Sequence, residues 1–247
     1  MSSLERKLVS LRQYFDTLSE FENIARSKNV KRLMRSIRRQ KTIAMKHAPA
    51  LSLAELQVVK KWDTSKNVKC RDKALFLVGF AGAFRVSELI AIRKRDIRFT
   101  ARGATVYVAR SKTDQEGEGM YKALFFGRKP EFCPVKALED WYWRMDTVLE
   151  MDDYLFVSYH FDGAMNLQNG RPKPISRHSI HKKIKAYFGS HFSSHSMRAG
   201  FVTTAKENGA DDAAVMNQTG HKTTEMIRRY SRHKTVFHHN AASDLGF

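Results

Sequence analysis

Three short clusters carry the residues able to do chemistry. The first is Phe84-Arg85-Val86-Ser87-Glu88-Leu89. Arg85 closes a run of apolar residues, a place where a charge needs a partner, and Glu88, three positions on, is spaced to hold it. A purely structural ion pair would have the same pattern. The second cluster is His195-Ser196-Met197-Arg198. A histidine and an arginine three apart share one helical face and can grip one phosphate together. Such a pair is common, and alone it is a weak signal. The third is Gly220-His221, followed nine residues later by Tyr230 in Ile227-Arg228-Arg229-Tyr230-Ser231-Arg232. A tyrosine hydroxyl, with a pKa of about 10, is a poor nucleophile unless cations stabilise the phenolate or a base removes its proton. Most tyrosines among basic residues are surface filler, so Tyr230 gains meaning only in combination with the other clusters.

The bulk composition says what such clusters act on. The chain has 247 residues, with 44 Lys and Arg against 25 Asp and Glu, a formal net charge of +19. A hydrophobic share of 42% excludes a wholly disordered chain. The longest apolar run, Ala74 to Phe84, is too short to span a bilayer, and the N-terminus has no signal-peptide pattern. The sequence therefore reads as a soluble, cytoplasmic, nucleoid-associated protein whose first partner to consider is nucleic acid. Two cysteines, Cys70 and Cys133, cannot build a disulfide framework and are expected as reduced core thiols.

The charge is concentrated. No acidic residue occurs from Asn23 to Ala54, where nine Lys or Arg fall, nor from Gly163 to Lys206, where eight fall beside four His. At helical spacing Lys28, Lys31, Arg32, Arg35, Arg38 and Arg39 share one face, and Val30, Leu33, Met34 and Ile37 share the opposite one. Such a helix packs its apolar side on the protein and offers its basic side to a polyanion. A solvated basic face without a ligand is the plainer alternative. A membrane surface fits less well, because the apolar side has no aromatic anchor.

These clusters must be positioned by a mainly helical, α+β chain. Leu4, Leu8, Leu11, Phe15 and Leu18 predict an amphipathic helix, the basic helix follows to about Arg39, and residues 41–50 read as a linker. Ser52-Leu53-Ala54-Glu55 is a capping box. The run from Ala74 to Phe84 is apolar all round and predicts a buried helix. Thr105 to Ala109 and Lys122 to Phe126 predict strands, joined by the polar segment Ser111 to Gly119. Pro134 suits the first turn of a helix running to about Leu149, and further helices are expected near 176–188, 194–208 and 211–218. Trp62, Trp141 and Trp143 are expected as packing residues. The pairs His178/His181 and His191/His195 have metal-like spacing, but no carboxylate joins them, so neither a metal nor another cofactor is expected.

Taken together, residues from about Leu51 to Arg232 resemble the catalytic domain of the tyrosine recombinases, the phage-integrase family, and most of all its bacterial-type site-specific integrase branch. The matching segments are Gly79-Phe-Ala-Gly-Ala-Phe-Arg85-Val-Ser-Glu-Leu, Arg110-Ser-Lys112-Thr-Asp-Gln, His195-Ser-Met-Arg198-Ala-Gly-Phe, and Thr219-Gly-His221 with Tyr230. The resemblance implies that Arg85 and Arg198 clamp the scissile phosphate and that Tyr230 attacks phosphorus to give a 3′-phosphotyrosyl bond. It implies Lys112 as general acid for the leaving 5′ oxygen, His195 as a relay for the Tyr230 proton, His221 as a hydrogen-bond partner of the phosphate, and Glu88 as a support for Arg85. Lys122, on the following strand, competes with Lys112; the Ser-Lys-Thr context favours Lys112. Phosphoryl transfer of this kind relies on positioning and charge neutralisation, with no metal or ATP. The implied partners are double-stranded DNA, three further copies of the chain in a tetramer on two DNA sites, and accessory DNA-bending proteins.

On this reading residues 1–46 form a partial helical core-binding segment, 47–240 the catalytic domain and 241–247 a tail. Only about 50 residues precede Leu51, fewer than the family's usual N-terminal domain, so a weaker grip on DNA and reduced recombination in isolation are expected. A type IB topoisomerase-like nicking and closing enzyme and a recombinase-derived DNA-binding protein are the alternatives; an RNA-binding or membrane-surface role leaves the spaced motifs unexplained. The segment from His238 to Leu245 is expected to form a helix that docks on a neighbouring copy. Deleting residues 237–247 should therefore impair synapsis of two DNA sites more than binding of one, measured by gel shift; equal loss of both would contradict this.

Overall fold

The computed structural model describes residues 2–18, 22–40, 49–109, 119–221, 223–225 and 227. Backbone packing divides the chain into two compact units, Met1–His47 and Ala48–Phe247.

The first unit contains α1 (Ser2–Asp16) and α2 (Lys28–Gln40). Asp16 anchors Arg26 at 2.5 Å, and Arg38 of α2 donates to Glu5 of α1 at 2.9 Å. Met34 is buried, but Leu33 is 60% exposed. The expected apolar face of α2 is thus narrower than the sequence suggested, because two helices offer only one seam to bury. Lys28, Lys31, Arg32, Arg35, Arg38 and Arg39 are all exposed along α2.

The second unit opens with α3 (Leu53–Leu56). Its capping box forms as expected: Glu55 reaches back to the Ser52 N–H at 2.6 Å, and the Ser52 hydroxyl accepts from the Glu55 N–H at 3.3 Å. The buried helix α4 (Asn67–Ala81) runs through the core, with Leu75, Phe76 and Val78 wholly covered. Its first turns also bury Arg71 and Asp72. Asp72 accepts from Arg71 (2.5 Å), Lys183 (2.7 Å) and the Tyr187 hydroxyl (3.0 Å), and Arg71 donates to the Val157 carbonyl. This satisfied network is what permits charge inside a core.

The chain then makes the one-turn α5 (Val86–Leu89) and a three-stranded antiparallel sheet: β1 (Ile97–Thr100), β2 (Gly103–Val108) and β3 (Met120–Phe125), in that order. Val106 lies opposite Ile97 on one side and Lys122 on the other. Ile97, Ala104, Val106, Val108, Lys122 and Leu124 are buried, following the alternation of a half-covered sheet. The β2–β3 connection, residues 110–118, lies outside the described residues, and Lys112 with it.

Helix α6 (Pro134–Arg144) packs against α4 through the fully buried Trp141, whose indole N–H donates to the Leu155 carbonyl at 2.9 Å. It ends at Arg144, short of the expected Leu149. The buried Lys94 donates to the Asp146 carboxylate (2.7 Å) and the Leu149 carbonyl (3.0 Å), which folds this stretch into turns. Trp143 is 59% exposed, against the packing role expected for it, and touches only the edge of the core through the rings of Phe99 and Tyr142 among its described ring contacts. The short ribbon β4 (Leu167–Gln168) and β5 (Arg171–Pro172) precedes α7 (Arg177–Phe188), α8 (Ser196–Glu207) and α9 (Asp212–Thr219). Cys70 and Cys133 are buried free thiols. Among the described residues no helix is long and apolar enough to cross a membrane, and no three metal-binding side chains come together. The fold is mainly helical with a small antiparallel sheet.

Helix α8 is held to the start of the unit by close backbone approach. The Leu51 N–H donates to the Ser196 carbonyl at 2.9 Å, and a Cβ on Gly200 would stand 2.0 Å from the Leu51 carbonyl oxygen. Gly200→Ala should therefore destabilise the protein by about 1–3 kcal/mol, seen as a lower denaturant midpoint with unchanged slope. An unchanged midpoint would show that this contact relaxes freely.

Candidate active site

Four of the expected site residues meet at one place, each delivered by a different local device. The long helix α4 stops at Ala81, and the chain turns through Gly82 and Ala83, the latter with φ of 48°, a left-handed conformation unusual outside glycine. This turn places Arg85 at the N-cap of α5, its side chain 15% exposed. Glu88, 2% exposed, takes both the Arg85 backbone N–H (3.0 Å) and its guanidinium (2.5 Å). The first donor of α5 and the charge of Arg85 are thus satisfied by one carboxylate.

Arg198 enters from the first turn of α8 and is 3% exposed. One guanidinium nitrogen donates to the Ala83 carbonyl at 2.7 Å and the other to the Thr219 carbonyl at 2.6 Å. The arginine bridges the turn that leads to Arg85 and the end of α9. There Gly220, left-handed with φ of 68°, ends the helix and turns the chain into His221.

His221 is 8% exposed. Burial, reinforced by the cations Arg198, Arg85 and Lys122, pushes its pKa down to about 4, so the imidazole is neutral at neutral pH. Its Nδ1 lies 3.0 Å from the Thr219 hydroxyl, which itself donates to the Val215 carbonyl at 2.7 Å. The Thr219 hydroxyl thus ties the imidazole to the last turn of α9 and fixes its orientation.

Lys122 also reaches this site, from the inner face of β3. Its Nζ stands 3.7 Å from Glu88, with the side chain fully covered. Sequence reasoning weighed it only as a competitor of Lys112 and assigned nothing to Thr219 beyond its motif. The signal for Lys122 was there, since a lysine at an inward position of a half-buried strand is abnormal. His195 is exposed at the N-cap of α8, one turn before Arg198, with its N–H on the Ser193 hydroxyl at 3.3 Å. Tyr230 and Lys112 lie outside the described residues. The six cations of α2 belong to the first unit.

Among the described residues the site therefore gathers two guanidiniums, an ammonium and a neutral imidazole around a single carboxylate, that of Glu88. Such a balance suits an anion with several oxygens, held bidentately.

Residues 51–236 match the model of the phage integrase family. The chain belongs to that family. Among curated proteins it is 34% identical over 230 residues to an integrase/recombinase XerD homologue of Selenomonas ruminantium, covering 90% of this chain and 65% of that protein. It is 27% identical over 192 residues to the tyrosine recombinase XerC of Staphylococcus aureus, covering 75% of this chain and 57% of that one. The chain thus spans less than two thirds of the length of these relatives. Among solved structures, the XerH site-specific recombinase in a post-cleavage complex with its difH substrate shares the fold, with a TM-score of 0.60, 17% identity, and coverage of 79% of this chain and 53% of that one. The Tn1549 transposon integrase in complex with circular intermediate DNA does so with a TM-score of 0.58, 16% identity, and coverage of 93% and 74%.

The depressed pKa of His221 has a measurable sign. An unfolded histidine protonates near 6.5, so the unfolded chain takes up this proton first, and the stability contributed by the neutral imidazole is lost as pH falls from about 6.5 towards 4. The His221 ring resonance in proton-observed NMR should titrate near pH 4. A midpoint near 6.5 would mean that the ring is not desolvated by its cationic neighbours.

Proposed function

We propose that this chain is a site-specific DNA recombinase of the integrase type, which cleaves and rejoins DNA strands through Tyr230. The observation that carries the reading is the convergence of Arg85, Arg198 and His221, from three separate segments, on one site where the carboxylate of Glu88 is already committed to Arg85. A phosphodiester is the polyanion that fits it.

In the proposed reaction the two guanidiniums hold the non-bridging oxygens of the scissile phosphate. The Tyr230 oxygen attacks phosphorus, the new O–P bond forms, and the bond to the 5′ oxygen breaks. The tyrosyl proton leaves to a base, for which His195 is the candidate, while His221 hydrogen-bonds the phosphate. Lys112 gives its proton to the departing 5′ oxygen. Lys122 is a poor donor for that step, because its side chain is fully covered. Rejoining is the reverse, with the 5′ hydroxyl of a partner strand attacking the phosphotyrosine. The ester conserves the energy of the original bond, so no ATP is consumed. Glu88 supports Arg85 without touching the phosphate.

The exposed cations of α2, Lys28, Lys31, Arg32, Arg35, Arg38 and Arg39, are assigned to phosphates flanking the cleavage point. The XerH and Tn1549 neighbours are described in complexes with DNA, and double-stranded DNA is the proposed partner here. A tetramer on two sites is the proposed assembly, helped by DNA-bending proteins. Its support is an apolar groove of about 560 Å³ lined by Leu53, Phe80, Phe125, Phe132, Phe201 and Val215, a face suited to receive the tail of a neighbouring copy.

The test is a suicide substrate, a nicked duplex carrying the flanking sites of the element, with covalent adducts sought on a denaturing gel. Wild-type protein should form an adduct that Tyr230→Phe abolishes, while Arg85→Ala and Arg198→Ala slow it by about 100-fold or more through loss of charge stabilisation. An adduct that persists in Tyr230→Phe, or salt-sensitive DNA binding without any adduct, would overturn the reading.

A further inference from the structure

Lys122 has no part in the chemistry proposed above, yet the site is built around it. The side chain sits wholly buried at the centre of β3, over the Phe84 ring at 4.8 Å. Its Nζ donates to the Gln218 carbonyl at 2.9 Å and the Gly82 carbonyl at 3.0 Å, lies 3.5 Å from the Ala83 carbonyl and faces Glu88 at 3.7 Å. These partners belong to three segments. Gly82 and Ala83 form the turn that leads to Arg85, Glu88 ends the ion pair of Arg85, and Gln218 lies three residues before His221. The Ala83 carbonyl also accepts from Arg198. One ammonium therefore contacts the supports of every phosphate-facing group described.

We propose that Lys122 is a positioning residue for strand transfer, a buried ammonium that fixes the spacing at which Arg85, Arg198 and His221 meet one phosphate. The inference rests on the functional reading above. The chemistry of the acceptors requires a cation there. An ammonium has three N–H donors for the carbonyls and a charge for Glu88, whereas a neutral amine has two donors. An apolar side chain would leave the Gly82 and Gln218 carbonyls unpaired in a closed interior, where each costs free energy and frees its segment to move. A misplacement of about 1 Å in a transferring site is enough to cost about 100-fold in rate.

The charge is held against opposition. Burial lowers the Lys122 pKa to about 7, Glu88 raises it, and Arg198 and Arg85 lower it further. His221 also faces the ammonium and is itself pushed down by it. In the protein without DNA the ammonium is thus lost as pH rises through about 7. A bound phosphate places negative charge beside these cations and restores it.

The experiment measures single-turnover adduct formation on the nicked duplex by wild type, Lys122→Met and Lys122→Arg, with duplex affinity measured in parallel. Lys122→Met should slow adduct formation by about 100-fold while duplex affinity is unchanged, because the covered lysine touches no DNA. Lys122→Arg, which keeps charge and donors, should recover most of the rate. With protein below saturation, where the rate reports the free enzyme, wild type should lose activity as pH rises through about 7, and Lys122→Arg should lack that loss. A folded Lys122→Met protein with the wild-type rate overturns the role. Should Lys122→Met not fold, the two pH profiles decide: an alkaline loss that is absent from wild type, or retained in Lys122→Arg, overturns it as well. A wild-type protein that makes no adduct fails at the earlier step, the functional reading, and the positioning role falls with it.

Discussion

Two helix C-termini come together in the interior of the second unit, and two buried cations bridge them. The ends of α4 and α9 each present backbone carbonyls that have no partner within their own helix, and the helix dipole makes those ends electronegative. Arg198 spans Ala83 and Thr219, and Lys122 spans Gly82 and Gln218. Each cation is thereby relieved of part of the cost of leaving water, and each helix end has its orphaned acceptors satisfied. Neither side of the arrangement is stable without the other. A carbonyl end buried alone is unsatisfied, and a guanidinium buried alone is far costlier.

This bridge explains why the site is strongly cationic and still folds. The carbonyls are dipoles and neutralise no formal charge. Among the described residues Glu88 supplies one negative charge against Arg85, Arg198 and Lys122, so a positive excess remains among buried side chains. The depressed pKa of His221 follows first from its burial and then from that excess, as Arg198, Arg85 and Lys122 all oppose its protonation. Under the proposed reading, an arriving phosphodiester monoanion meets cations already held in place and already desolvated, which is the condition under which electrostatic stabilisation is largest. The left-handed Ala83 fits the same logic. The turn it makes costs backbone strain of about 1–3 kcal/mol, and its carbonyl is the acceptor shared by Arg198 and Lys122.

Side-chain chemistry was legible in the sequence, and backbone chemistry was not. The spacing of Arg85 and Glu88 announced the ion pair that forms, whereas Arg198 and His221 stood out only in combination and took their expected roles from the family resemblance. The carbonyls of Gly82, Ala83, Gln218 and Thr219 have no residue signature, so the buried contacts of Lys122 stayed hidden behind the hairpin lysine Lys112, although its inward register on β3 was a clue. The same limit accounts for the fold-level differences. Helix α6 stops early because Lys94, distant in sequence, takes the Leu149 carbonyl. Strand β1 went unread because four residues give too short an alternation to detect. Trp143 is exposed because its neighbour Trp141 already fills the inward face of that helix.

The two sets of cations in the chain obey different physics, and that difference divides their labour under the proposed reading. The α2 cations are exposed, so their attraction to a polyanion works through released counterions and weakens steeply with salt, without regard to sequence. The cations bridging α4 and α9 are buried, so salt screens them little, and their positions are fixed by carbonyls to within a hydrogen bond. The first set can collect a duplex but cannot choose a phosphate. The second can choose one, but offers too little exposed charge to collect a duplex. Under the proposed reading strand transfer at one position needs both, and the chain carries them in two different units.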